Sequence, residues 1–114
     1  MNESNEQRTT LVMKDVSDAD GTMWRAVQLS ASNELVIEGH DLGPGVDRVF
    51  ACGEYEFQRA LSSNETSELR KLLGLSGDQD LLAAITERFD DTTSLEAFLK
   101  AHDLEGKFWN RIGD

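Results

Sequence analysis

Cysteine, proline and tyrosine occur once each in this chain of 114 residues, and basic residues are half as many as acidic ones. Each scarcity closes off a class of function. A lone cysteine, Cys52, cannot form an internal disulfide, which argues against a disulfide-stapled scaffold. A membrane helix needs about 18 or more apolar residues in succession, and no run approaches that length. Residues Met1 to Thr10 lack the apolar stretch of a secretory signal, so cytoplasmic residence is expected. The 11 Lys and Arg stand against 22 Asp and Glu, a formal net charge of −11, and the longest basic run is Arg70-Lys71. Neutralising phosphates or adhering to an anionic membrane requires clustered cations. Neither direct nucleic-acid binding nor membrane binding is expected.

What is present suffices for a core. The apolar fraction is 39% and nine glycines bring it to the usual globular level. Residues 1–9 read as a disordered tail and 10–114 as a single domain of α+β class. Three β-rich stretches come first: Thr10 to Val16, Met23 to Ser30 after the turn cluster Ser17 to Gly21, and Glu34 to Glu38 after Asn33. Pro44-Gly45 suits a type II turn, and Val46 to Ala51 suits a short extended segment. Gly53 to Ala60 is the clearest strand, with Tyr55 and Phe57 on one face and Glu54, Glu56 and Gln58 on the other.

From Ser62 the apolar period becomes helical. Ser62 with Glu65 has capping-box spacing, Leu69, Leu72 and Leu73 form a stripe, and Gly74 suits a left-handed cap. Asp78 is expected to cap a second helix with Leu81, Leu82, Ile85 and Phe89 inward. Thr93 with Glu96 is expected to open a third, with Leu95, Phe98 and Leu99 inward. The segment Lys107 to Asp114 is expected to fold back onto the core. The expected architecture is an antiparallel meander of about four strands followed by three short helices packed on one face.

The sequence holds no catalytic signature, and no metal or cofactor is expected. Cys52 has no neighbouring cation nearer than Arg48 to favour a thiolate, so it reads as a buried structural thiol. Glu38-Gly39-His40-Asp41 is the single histidine–carboxylate cluster, and it lacks the paired histidines or cysteines that specify a metal site. His102 suits the negative end of the third helix. Gly43-Pro44-Gly45 lacks the lysine and serine of a phosphate loop. Trp24, Phe50, Phe57, Phe89, Phe98 and Trp109 are expected in the core, with Trp109 the candidate for an interface anchor.

Charge distribution is more informative than motif. Between Glu34 and Gln58 the acids Glu34, Glu38, Asp41, Asp47, Glu54 and Glu56 face Arg48 alone. Strand alternation is expected to gather them on one solvated face and its adjoining loop, suited to lysines and arginines of a basic protein partner. The stretch LVIEGHDLGPGVDRVFACGEYEF, followed by LLAAITERF, FLKAH and FWNRIGD, is similar to a group of small bacterial proteins with no assigned activity. That resemblance implies a bacterial domain of this architecture and carries over no functional residue. The expectation is a non-catalytic acidic binding protein of the immunity or inhibitor type, neutralising a basic toxin or nuclease. One alternative is a mimic of nucleic-acid charge that blocks a DNA-binding protein. Another is a small enzyme or metal-dependent sensor using His40, Asp41 and Cys52. Oligomeric state is not readable.

Overall fold

In the computed structural model, residues 8–19, 21–43, 53–76 and 79–113 are described. The Pro44-Gly45 turn, the 46–51 segment, Asp47, Arg48, Phe50, Cys52, Asp78 and residues 1–7 lie outside them. Among the described residues, five strands and three helices follow in the order β1 (Arg8–Asp18), β2 (Gly21–Ser30), β3 (Leu35–Leu42), β4 (Glu54–Leu61), α1 (Ser63–Leu72), α2 (Leu81–Arg88), α3 (Thr92–Ala101) and β5 (Lys107–Gly113). The strands pair antiparallel in the order β1-β2-β3-β4-β5, a meander closed by a fifth strand that arrives after the helices. The class is α+β, with one strand more than the sequence suggested. No helix among the described residues is long and apolar enough to cross a membrane.

Strand alternation gives the sheet two faces of different fate. On the inner face Val27, Leu35, Ile37, Phe57 and Leu61 are buried together with Leu69, Leu73, Leu81, Leu82, Ile85, Leu95 and Leu99 of the helical layer. The helices thus pack on one face, burying its middle and leaving Met23, Phe108 and Ile112 on it exposed. β1 begins at Arg8, two residues before the expected start, because β2 runs to Ser30 and offers its backbone to Arg8 and Thr9. Its register shifts between Val12 and Lys14, and the bulge leaves Leu11 and Met13 both packed against the core.

Local chemistry sets the helix starts. Ser62 and Glu65 form the expected capping box, each side chain accepting from the other's backbone. The inward hydroxyl of Thr66, fully buried, accepts from Leu35 N at 3.2 Å and donates to Ser62 O at 2.9 Å, tying α1 to β3. Leu72 is 39% exposed, contrary to expectation, while Leu69 and Leu73 are buried. Position 72 falls on the solvent edge of the stripe. Gly74 adopts φ 75° and ends α1 as expected. α2 is capped by Asp80, which accepts from Leu82 N and Ala83 N. α3 is capped by Asp91 with Ser94, in place of the expected Thr93 and Glu96. Glu96 instead bonds Arg59 of β4 at 3.0 Å, which removes it from cap duty.

Candidate functional site

The pairing register arranges the outer face in rows that cross the sheet. One row runs Asp15, Trp24, His40, Glu56, Arg111; the next runs Val12, Ala26, Glu38, Gln58, Trp109. On either side lie Leu42 beside Glu54, and Gln28, Val36, Ala60 and Lys107. Of these side chains only Ala26 is buried, a small residue among larger neighbours. Trp24, expected in the core, is half-buried on this face because its even-numbered position in β2 points away from the helices.

The structure divides the expected acidic set. Glu38, Glu54 and Glu56 share the outer face, and Glu34 is exposed just before β3. Asp41 lies on the other face, since adjacent strand residues point opposite ways. There it holds Arg25 through two bonds, Nη1–Oδ1 at 2.6 Å and Nη2–Oδ2 at 3.1 Å. The Arg25 guanidinium also stands 5.1 Å from the centre of the Phe57 ring, so this pair braces the inner face. Asp47 lies outside the described residues.

β5 changes the electrostatics of the acidic strands. Arg111 Nε donates to Glu56 at 2.9 Å, and its Nη2 reaches both Glu56 and, at 3.3 Å, Glu54. The hydrogen bond and charge of Glu56, then the charge of Glu54, raise the Arg111 pKa and hold the guanidinium ionised. His40 Nε2 lies 2.8 Å from Glu54 Oε2. Glu38 accepts from Gln28 across β2 and β3. Of the set named in the alternative reading, His40 and Asp41 occupy opposite faces and are not brought together, and Cys52 lies outside the described residues. His40 meets Glu54 and Glu56 instead, and no sequence motif announces that meeting. The signal that could have found it is the antiparallel offset of β3 and β4, which places residues 40 and 56 opposite each other.

Two apolar features accompany these charges. Trp109 is 50% exposed on β5, and Phe108 and Ile112 on the opposite side of the same strand are as open. Phe108 packs under Arg59, whose guanidinium lies 4.9 Å from the ring centre. Phe108, Phe57 and Tyr55 also floor a groove of about 460 Å³ against α3, walled by Glu96, Ala97 and Lys100. The Arg59–Glu96 ion pair crosses this groove. His102 closes α3, with its ring centre 4.5 Å from that of Phe98. Compared with known proteins, the chain matches no family model, no curated protein and no solved structure.

Proposed function

We propose that this chain is a non-catalytic binding protein that receives a basic protein partner on the outer face of its sheet. The observation that carries the reading is the one-sided layering. The helices bury the middle of the inner face, though they leave Met23, Phe108 and Ile112 on it exposed, while no helix packs on the outer face, where every described side chain except Ala26 is exposed or half-buried. Trp109 and Trp24 stand there in neighbouring rows, with Glu38 and Glu56 between them. Tryptophan is over-represented among interface residues whose removal is costly, and its ring face attracts ammonium and guanidinium groups. The net charge of −11 would speed encounter with a cationic partner. An inhibitor or immunity protein covering the charged site of a basic toxin or nuclease belongs to this class.

The acids do not contribute equally to this reading. Glu54 and Glu56 already share Arg111, so Glu38 and Glu34 offer more charge to a newcomer. The test compares capture from the source cell by the wild type, by Trp109→Ala/Glu38→Lys, and by the helical control Glu87→Lys. A partner is expected with the wild type and the control, and roughly tenfold less with the sheet variant. Equal recovery on all three would remove the outer face from the binding reaction.

A further inference from the structure

His40, Glu54 and Glu56 meet through strand register. His40 and Glu56 stand opposite on β3 and β4, and Glu54 lies two residues along the same face. One ligand atom from each lies within 4.8 Å of the others. We propose that these three side chains form a site for a divalent cation of the zinc class, with Arg111 as the counter-ion that the metal replaces. The inference rests on the β3–β4 geometry and on Arg111 of β5, and does not depend on the partner-binding reading.

The donor set suits that ion. One imidazole and two carboxylates supply two negative charges, and zinc takes nitrogen and oxygen ligands at about 2.0–2.2 Å, leaving a fourth position to water. Tetrahedral bonds of that length separate ligand atoms by about 3.4 Å, within reach of small side-chain rotations from the spacing observed. Calcium, which takes about six to eight oxygens, is poorly served by three ligands. The His40 and Glu54 side chains are 35% and 20% exposed, so an ion can reach atoms whose backbones are held by paired strands.

Arg111 now balances the two carboxylates. It sits on the last strand of the sheet and is 53% exposed, so its guanidinium can turn to solvent as a dication enters. Metal and guanidinium therefore compete for the same oxygens. This competition separates a metal site from an ordinary ion-pair network. Removing Arg111 weakens a network that is only structural, but strengthens a site that binds metal.

The test is calorimetric titration of the full chain with Zn²⁺ at neutral pH, with Co²⁺ absorption as a report of tetrahedral geometry. One ion per chain is expected, with micromolar affinity. His40→Ala should lose at least roughly tenfold in affinity together with the cobalt bands. Arg111→Ala and Arg111→Gln should bind about threefold to tenfold tighter, the scale of releasing exposed ion pairs. Glu87→Gln and His102→Ala, both away from the cluster, should match the wild type. Trp24, opposite His40, supplies a fluorescence signal for the same titration. No stoichiometric binding below about 100 μM, undiminished binding by His40→Ala, or unchanged affinity in both folded Arg111 variants would each overturn the proposal.

Discussion

Asn33 turns the chain between β2 and β3 at φ 65°, a left-handed conformation that asparagine tolerates better than most residues. Its side chain also docks the turn on α1: Nδ2 donates to Ser67 Oγ at 3.1 Å and to Ser63 O at 3.3 Å, and Oδ1 accepts from Arg70 Nε at 3.1 Å. Asn33→Gly keeps the backbone and loses the bonds, which should cost about 1–2 kcal/mol. Asn33→Ala adds a further cost of about 1 kcal/mol for the left-handed backbone. Urea unfolding should therefore rank glycine above alanine here. Gly39 poses a different constraint. A Cβ there would overlap the Phe57 ring and come within 2.9 Å of Arg25 Nη1. Gly39→Ala should cost about 1–3 kcal/mol as the ring and the Arg25–Asp41 pair shift; a loss below about 0.5 kcal/mol would mean that Phe57 moves aside easily. Residues whose role is local, such as Asn33 and the Ser62–Glu65 box, were legible in the sequence. The neighbours of His40 were not legible, because Glu54 and Glu56 lie 14 and 16 residues away and only the pairing register brings them beside it.

Helix α3 has two start signals within a few residues, and the earlier one wins. Asp91 accepts from Ser94 N at 2.8 Å, and this bond, followed by that to the Ser94 hydroxyl, lowers the Asp91 pKa below its ordinary 3.8. A lowered folded-state pKa stabilises fully above the unfolded value and is lost as pH falls through the folded one. The stability advantage of wild type over Asp91→Asn should thus shrink as pH drops from about 5 to about 2, read by thermal or urea melts. In α2, Ile85 is fully buried, whereas Phe89 caps the helix half-buried and meets Phe98 edge-on with ring centres 5.4 Å apart. Ile85→Ala should cost about 2–5 kcal/mol and Phe89→Ala less, since less of its surface leaves water. The strands within 10–60 and all three helices were readable from period, but among the caps at helix starts only the Ser62–Glu65 box was: Asp80 and Asp91 hold the starts expected of Asp78 and Thr93. β5 was not: seven residues holding Asn110 and two cations carry a weak alternation. Its strand state comes from the unoccupied side of β4, a property of the assembled sheet.

At the scale of the whole molecule, the order of strands leaves β1 and β5 as the two edges. Each carries some protection. β1 has its bulge between Val12 and Lys14, and β5 is short and bears Lys107 and Arg111. Yet β5 also exposes about half of Phe108, Trp109 and Ile112. In the language of polymer chemistry, a sheet with two unlike edges is a bifunctional monomer. Joining β5 of one copy to β1 of the next leaves a free edge at both ends, so growth of this kind continues unless the rotation between copies closes a ring. Like charge is the inhibitor of that step growth, with every copy carrying −11. Near the isoelectric point of about 4.5 the inhibitor vanishes, and high salt weakens it at neutral pH. Light scattering should therefore rise as pH approaches that point and fall again on the acid side. Replacing Trp109 and Ile112 by lysine should suppress the rise, and scattering indifferent to both pH and these substitutions would show that the edges do not join. The acidity that would draw a basic partner in would then also be what keeps the chain from polymerising.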